Sequence, residues 1–287
     1  MMKCSRYIVL ISILLAIHSI SYSQSNLGQK IYGVTIDDIT NLNQIVVSLS
    51  KLSIKPTARI VFDESTLASK YVKPLKRIHR VSYVMGELLD SYDMKDYSIS
   101  HYQDRAKDYI DELGDNVDIW EIGNEVNGEW LGNIDSVVLK INYAYDYAKR
   151  VNKKTALTLY YNNQCYERDE NEMYNWVLNK LPSDIRSGID YLLVSYYEDD
   201  CNEFQPNWQQ VFDSLHVLFP NSLLGVGECG TENPEKKEEY INRYYRISIS
   251  TPGFISGFFW WYFKQDCVPY SKPLWKVLNK VFKLSEN

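Results

Sequence analysis

The sequence predicts a (β/α)₈ TIM barrel in a single domain. Apolar runs of strand length recur along the chain, and each is followed by a segment with the periodicity of an amphipathic helix. The runs are almost continuously apolar, which is typical of parallel strands buried on both faces. Eight such units favour a closed barrel over an open, doubly wound sheet.

The first four predicted units extend to residue 151. Runs rich in β-branched and aromatic residues predict strands at 30–35, 57–62, 80–85 and 117–122. Apolar residues at helical spacing predict helices at 41–52, 64–78 and 100–113, and Gly114 follows the third as a stop signal. The fourth helix, at 135–151, is predicted from the apolar stripe Val137, Val138, Ile141, Tyr145 and Ala148.

The last four units follow the same alternation. Strands are predicted at 155–161, 191–197, 223–227 and 253–262, and helices at 170–181, 208–218, 235–249 and 274–282. No linker rich in Pro, Gly or Ser interrupts residues 27–287. We therefore predict that residues 24–287 form one domain, close to the ~250 residues typical of such a barrel.

The N-terminus has the pattern of a secretory signal. Lys3 and Arg6 form a short basic region, residues 7–20 are mostly apolar and uncharged, and small residues follow at 21–23. This pattern predicts a signal peptide at residues 1–23, with cleavage before Gln24. A transmembrane anchor is the alternative, but the apolar run is short for a membrane span. We expect a secreted, periplasmic or cell-surface protein.

The charge balance limits the classes of partner. The formal net charge of the chain is −6. An acidic protein is a poor partner for nucleic acid and for anionic membrane surfaces. We expect neither partner after signal cleavage, whereas a neutral polysaccharide is compatible with this charge.

Two glutamates directly follow predicted strands. Residues 119–126 read IWEIGNEV, so that Asn124 and Glu125 come after the fourth strand, and Glu228 follows the seventh. A barrel carries its active site at the C-terminal ends of its strands. Hydrolysis of a glycosidic bond requires two facing carboxyl groups, and a neighbouring amide can bind a sugar hydroxyl. The alternatives are that Asn124 caps a helix and that Glu228 is a solvated loop acid.

The segment Trp120-Glu121-Ile122-Gly123-Asn124-Glu125 resembles the WEIGNE signature of several families of (β/α)₈ retaining glycoside hydrolases, the clan GH-A. In that clan, the glutamate of the Asn-Glu pair is the acid/base and the glutamate after strand seven is the nucleophile. The resemblance implies these roles for Glu125 and Glu228, a β-linked oligo- or polysaccharide as substrate, and no metal or organic cofactor. A retaining mechanism predicts a carboxyl separation of ~5–5.5 Å.

Other positions can be compared with the clan one at a time. Arg59 in the second strand resembles the arginine that bonds the nucleophile, and we expect it to keep Glu228 ionised. Ser195-Tyr196-Tyr197 resembles the segment that brings a tyrosine hydroxyl to the nucleophile, for which we favour Tyr197 over Tyr196. Phe259-Trp260-Trp261-Tyr262 resembles the strand-eight segment in which a tryptophan lies under the cleaved sugar, and we favour Trp261 over Trp260. Buried packing is the alternative for each aromatic residue.

Further residues at the strand ends suit an oligosaccharide cleft. Asn162 follows the fifth strand, Glu87 follows the third, and Trp130 follows the Asn-Glu pair. Aromatic faces, amides and carboxylates together are typical of a sugar-binding site. Glu121 lies four residues before Glu125, so we expect it to be an acid inside the barrel.

Four cysteines follow predicted strands five to eight. Because adjacent barrel loops are neighbours, we predict the disulfides Cys165–Cys201 and Cys229–Cys267. Four free thiols are the alternative. The sequence contains neither a CxxC nor an HxxxH pair, so we expect no metal site.

The prediction is thus a secreted, monomeric retaining glycoside hydrolase. One alternative is a carbohydrate-binding barrel without catalysis, against which the presence of Glu125, Glu228 and Arg59 argues. The other is a different, metal-assisted barrel hydrolase, for which the sequence contains no cluster of ligands.

Overall fold

The computed structural model describes residues 30–285, which form a closed barrel of eight strands. The predicted single-domain (β/α)₈ fold is confirmed. The predicted signal peptide at residues 1–23 lies outside the described residues. Within residues 30–285, no helix combines the length and the apolar character that a membrane crossing requires.

The strands follow one another around the barrel in chain order. They are β1 (Ile31–Ile36), β2 (Thr57–Val61), β3 (Tyr83–Glu87), β4 (Ile119–Glu121), β5 (Lys154–Tyr160), β6 (Tyr191–Tyr196), β7 (Leu223–Cys229) and β8 (Phe254–Trp260). Each strand pairs in parallel with the next, and β8 pairs with β1. The strands are almost wholly buried, as the continuous apolar runs predict.

The helices surround the barrel. They are α1 (Leu42–Ser50), α2 (Val72–Ile78), α3 (Ile99–Leu113), α4 (Ile134–Arg150), α5 (Met173–Asn179), α6 (Ser183–Gly188), α7 (Trp208–Leu218), α8 (Lys237–Tyr244), α9 (Phe263–Cys267) and α10 (Pro273–Ser285). The helix predicted at 170–181 begins three residues later, as α5, and the separate helix α6 starts just after Pro182. Proline has no backbone N–H to donate within a helix, which explains the break. The short helix α9 was not predicted.

The barrel interior contains two layers of side chains. An apolar layer consists of Met85, Ile119, Ala156, Leu193 and Phe259. Side chains alternate along a strand, so the residues two positions further on point the same way. At those positions the interior becomes polar: Glu87, Glu121, Thr158 and Ser195. The sheet therefore brings polar groups to the C-terminal end of the barrel, above an apolar floor.

Gly33 makes room for the apolar layer. A Cβ atom at this position would lie 2.4 Å from the ring of Phe259. A larger residue in place of Gly33 would force the ring of Phe259 or the backbone to shift.

One of the two predicted disulfides is present. Cys165 and Cys201 are bonded, and they join the loops after β5 and β6. The predicted bond between Cys229 and Cys267 is wrong, because both are free, buried thiols. Cys229 is the last residue of β7 rather than a loop residue, and it pairs in register with Trp260 of β8. Cys267 is the last residue of α9, so the two thiols do not lie on neighbouring loops.

Candidate active site

A cleft of about 480 Å³ opens at the C-terminal ends of the strands. Six of the predicted site residues line it: Asn124, Glu125, Trp130, Tyr197, Glu228 and Trp261. Glu125 and Glu228 thus face the same space, although 102 residues of chain separate them. The barrel closure makes this possible, since β4 and β7 end at the same rim.

Glu228 is held by two groups from other strands. Its Oε1 atom forms an ion pair with Nη1 of Arg59 at 2.7 Å, and its Oε2 atom accepts a hydrogen bond from the Tyr197 hydroxyl at 2.8 Å. Burial raises the pKa of Glu228 to about 7, although the charge of Arg59 and the hydrogen bond from Tyr197 lower it. Both groups therefore favour the ionised carboxylate.

Arg59 binds three carboxyl groups in the barrel interior. Besides Glu228, it contacts Glu121 through Nε at 2.6 Å and Nη2 at 3.1 Å, and its Nη2 lies 3.1 Å from Glu87. Arg59, Glu87 and Glu121 are each 0% exposed. Burial raises the pKa of Glu87 well above its ordinary value, even though Arg59 lowers it. The guanidinium group thus connects the second, third, fourth and seventh strands in a desolvated network.

Glu125 occupies an unusual backbone position. Its φ angle is 47°, in the left-handed region that non-glycine residues seldom adopt. The carbonyl oxygen of Glu125 accepts a hydrogen bond from the N–H of Gly128 at 2.7 Å, which closes a tight turn after β4. Strained backbone of this kind clusters at functional sites, and here it directs a carboxyl group into the cleft.

Two serine hydroxyls donate to the Glu125 carboxyl. Ser195 donates to Oε1 at 2.5 Å and Ser91 donates to Oε2 at 2.9 Å. Burial raises the pKa of Glu125 to about 8, and the charge of Glu228 adds to the rise. Of these two glutamates, Glu125 therefore has the higher pKa and retains its proton longer as pH rises.

Asn124 has an unused hydrogen-bonding atom. The side chain is 1% exposed, and within the described chain its Oδ1 atom has no hydrogen-bond partner. A buried polar atom without a partner is costly unless a ligand or water satisfies it. Asn124 can therefore bind a hydroxyl group in the cleft beside Glu125.

Aromatic rings form the sides of the cleft. Trp130 stacks on Tyr92 with 5.8 Å between ring centroids, and it packs nearly perpendicular to Tyr160 with 5.1 Å between centroids. The ring of Trp261 lies 5.8 Å from the guanidinium carbon of Arg59. These surfaces suit the apolar faces of a ring-shaped ligand.

Besides Arg59, which pairs with Glu228, four of the predicted site residues do not line the cleft. Tyr196 and Trp260 are fully buried. The Tyr196 hydroxyl donates a hydrogen bond to the Phe204 carbonyl oxygen, and the Trp260 indole N–H donates to Asp266 Oδ2. Alternation explains both, because Ser195 and Tyr197 point inward while Tyr196 points toward the helices, and the same holds for Trp261 and Trp260. The other two are Asn162, which bonds to Asn171 and Met173, and Glu87, which belongs to the Arg59 network.

Ser91 and Ser195 are site residues that we did not predict. Ser195 has the same inward orientation as Tyr197, two residues further on, so the period of the strand contains a signal for it. Ser91 lies in a short 3-10 turn after β3, spanning Ser91–Asp96, and no periodic pattern indicates it. Within residues 30–285, no group of three or more His, Cys, Asp or Glu side chains is placed to hold a metal ion.

Comparison with known proteins finds solved structures with a similar fold. No family model matches the chain, and no curated protein matches it. Among solved structures, Saccharomyces cerevisiae Gas2p in complex with laminaritriose and laminaritetraose is 15% identical, with a TM-score of 0.60, and the match covers 90% of this chain and 65% of that one. The complex of the same protein with laminaripentaose is 15% identical, with a TM-score of 0.61, and covers 91% and 66%. The chain thus spans less than two thirds of these proteins, and the likeness shows a shared barrel fold.

Proposed function

We propose that this protein is a retaining glycoside hydrolase that cleaves β-linked oligo- or polysaccharide by double displacement. The observation that supports this most is the pair of carboxyl groups, Glu125 and Glu228, in one cleft at the C-terminal ends of the strands. Two carboxyl groups with different pKa values are what this chemistry requires. In this proposal Glu228 is the nucleophile and Glu125 is the acid/base.

In the first step, a carboxylate oxygen of Glu228 attacks the anomeric carbon. The glycosidic bond breaks, its electron pair stays on the departing oxygen, and that oxygen takes the proton of Glu125. The products are a glycosyl ester on Glu228, an ionised Glu125 and the free leaving group. Arg59 and Tyr197 assist because they favour the carboxylate form of Glu228.

In the second step, the ionised Glu125 takes a proton from a water molecule. The water oxygen attacks the anomeric carbon, and the bond to Glu228 breaks with its electron pair returning to the carboxylate. Both glutamates regain their starting states, and the sugar keeps its original configuration. Asn124 is placed to bind a hydroxyl of the reacting sugar, while Trp261 and Trp130 provide surfaces for sugar rings.

The lining of the cleft favours an uncharged substrate. All charged side chains among its lining residues are acidic: Asp90, Glu125, Asp199, Asp200, Glu228 and Glu232. A concave site of one charge sign repels ligands of the same sign. The complexes of the structurally similar Gas2p contain laminari-oligosaccharides, which are neutral, and we propose neutral β-linked oligosaccharides of this kind as substrates.

The purified protein is expected to hydrolyse laminari-oligosaccharides or aryl β-glycosides with retention of configuration. Proton NMR of the first-formed reducing sugar distinguishes retention from inversion. Carboxymethylated laminari-oligosaccharides serve as the charged comparison. At low salt we expect them to be cleaved more slowly than the neutral ones, because the acidic cleft repels them. A chelator is expected to leave the activity unchanged.

Three outcomes would contradict this proposal. An inverted first product would exclude the double displacement. Tight binding of an oligosaccharide without turnover would favour a carbohydrate-binding barrel. Loss of activity on chelation would favour a metal-assisted hydrolase.

The pH dependence of kcat/KM is expected to be bell-shaped. The rate should fall at low pH as Glu228 takes up a proton, with a pKa of about 7. It should fall at high pH as Glu125 loses its proton, with a pKa of about 8. A profile measured with a neutral substrate tests both limbs, and activity that stays constant across this range would contradict the assignment.

We further propose that residues 1–23 are removed as a signal peptide and that residues 24–287 act as a secreted or cell-surface monomer. The Cys165–Cys201 disulfide supports an oxidising compartment. The intact mass of protein recovered from the medium or periplasm, together with its size-exclusion volume, tests both statements. A retained N-terminus or a dimer would contradict them.

A further inference from the structure

We propose that Ser91 and Ser195 are positioning residues for Glu125, which hold its carboxyl group and ease its change from proton donor to proton acceptor, and that Trp130 in turn orients Ser91. This inference rests on the acid/base role of Glu125 proposed above. It concerns two residues that the catalytic pair does not include and gives Trp130 a role besides binding sugar.

The geometry places one hydroxyl on each oxygen of the carboxyl group. Ser195 in β6 donates to Oε1, and Ser91 in the turn after β3 donates to Oε2. Ser91 is 1% exposed and Ser195 is 0% exposed, so bulk solvent has little access to either hydroxyl. The carboxyl plane of Glu125 is thereby held from two sides, by segments that the barrel fixes independently.

Ser195 also couples the two catalytic carboxyl groups through the sheet. It is the register partner of Glu228 in the pairing of β6 with β7, while its hydroxyl donates to Glu125. One residue therefore positions the backbone next to Glu228 and the side chain of Glu125. A displacement of Ser195 would alter the spacing of both groups.

Trp130 determines the direction of the Ser91 hydroxyl. The indole Nε1 of Trp130 donates to the Ser91 oxygen at 3.0 Å. Serine has one hydroxyl hydrogen, and the indole N–H occupies a lone pair of the oxygen. The hydroxyl hydrogen is therefore left for Glu125, and the three groups form a chain from Trp130 through Ser91 to Oε2.

The serines are the direct donors to Glu125 in the described part of the chain. The titratable groups that face Glu125 are two carboxyls and three phenols. The carboxyls are Glu228 in β7 and Asp90 after β3, and the phenols are Tyr92 after β3, Tyr160 at the end of β5 and Tyr197 after β6. No cation among them therefore stabilises an ionised Glu125. The two hydroxyls supply that stabilisation, because donors to a carboxylate favour its charged form.

The catalytic cycle needs this stabilisation in only one of its steps. Glu125 must be protonated to release the leaving group, and burial together with Glu228 supplies that state. It must then exist as a buried carboxylate to activate a water molecule in the cleft, and the serine hydroxyls support this second state. The hydroxyls of Ser91 and Ser195 thus form a clamp on the Glu125 carboxyl group. This clamp lets one buried carboxyl group serve both steps.

Removal of either hydroxyl is expected to shift two pH limbs in the same direction. In Ser195→Ala, the alkaline limb of kcat/KM should move up by about one pH unit, because Glu125 holds its proton more strongly. With an aryl glycoside whose leaving group needs no protonation, kcat reports the second step, and its acidic limb should also move up. Ser91→Ala should give a smaller shift of the same sign, and Trp130→Phe a smaller one again.

Two further variants separate positioning from a general structural effect. Ser195→Thr keeps a hydroxyl and should restore most of the original profile. Ser222→Ala is the matched control, because Ser222 is also buried and donates to Ile189 O at 2.8 Å, away from the cleft. Its profile should not move. Unmoved limbs in both Ser91→Ala and Ser195→Ala, or a downward shift in either, would overturn the inference.

A measurement without turnover distinguishes this inference from the proposed function. Glutamate labelled with ¹³C at Cδ can be titrated by NMR, with the Glu125 signal assigned from Glu125→Gln. A raised midpoint for Glu125 in the serine variants supports the clamp even if no tested glycan is cleaved. An unchanged midpoint rejects the clamp even if the wild-type protein is an active glycosidase.

Discussion

Replacing Glu228 with alanine is expected to lower kcat/KM for a neutral β-linked substrate at least about 10⁴-fold. The variant lacks the oxygen that forms the bond to the anomeric carbon, so the first step of the double displacement has no nucleophile. The fold should survive, because the change also removes one of three carboxyl groups that compete for Arg59. Initial rates and circular dichroism check the two statements.

Azide identifies the role of Glu228 more directly. In Glu228→Ala, azide can enter the space of the missing carboxyl group and displace the leaving group, which gives a glycosyl azide of inverted configuration. In Glu125→Ala, azide can attack the glycosyl-enzyme instead, which gives the retained configuration. Glu112→Ala, an exposed glutamate at the end of α3, is the matched control and should keep full activity. Azide products of the opposite configurations would reverse the two assignments.

The site residues at the strand ends were predictable because their positions depend on two short-range sequence patterns. Continuous apolar runs locate buried parallel strands, and the residue directly after such a run lies at the rim of the barrel. Glu228 and Asn124-Glu125 follow from these two rules alone. Arg59 follows from a third, since a charged residue within an apolar run is expected to be paired inside the protein, and its ion pairs bear this out.

Side-chain direction within an aromatic run was harder to predict. In Ser195-Tyr196-Tyr197 and Trp260-Trp261 neighbouring residues point to opposite faces, so an error of one residue in the strand phase exchanges the core residue with the cleft residue. The preference for Tyr197 and Trp261 over their neighbours agrees with the cleft lining. Tyr196 and Trp260 do not line the cleft because alternation along the strand turns them to the opposite face.

The errors that remain come from segments without periodicity. Cys229 was placed in a loop, but β7 extends through it, and a strand boundary cannot be located to one residue from sequence. Asn162 follows β5, yet its amide satisfies backbone groups of the next turn. Ser91 enters the site from a 3-10 turn whose course depends on tertiary contacts such as the one with Trp130. Loop residues of this kind can be identified only from the folded structure.

Arg59→Met is expected to reduce the free energy of unfolding by about 3–5 kcal/mol near neutral pH. Methionine fills a similar volume, but Glu87, Glu121 and Glu228 lose their shared cation in a site where Arg59, Glu87 and Glu121 are 0% exposed. Activity should fall as well, because Glu228 loses the charge that favours its ionised form. Urea unfolding, followed by circular dichroism, measures the change in stability.

The pH dependence of this loss separates charge from packing. Arg59 lowers the folded-state pKa values of Glu87 and Glu228, so its removal raises both further above the ordinary value of 4.5. A raised folded-state pKa costs no stability while the group is protonated in both states, and the cost grows with pH until the group ionises in the folded protein. For Glu228 this growth stops at about pH 7 in the wild type, whereas in Arg59→Met it continues above that pH. The difference between variant and wild type should therefore be small at about pH 4 and large at about pH 8. Arg59→Lys keeps the positive charge but not the planar guanidinium group, so its loss of stability should depend less on pH. A loss in Arg59→Met that is equal at both pH values would show that Arg59 stabilises the barrel by packing, and the role assigned to its charge would then be wrong.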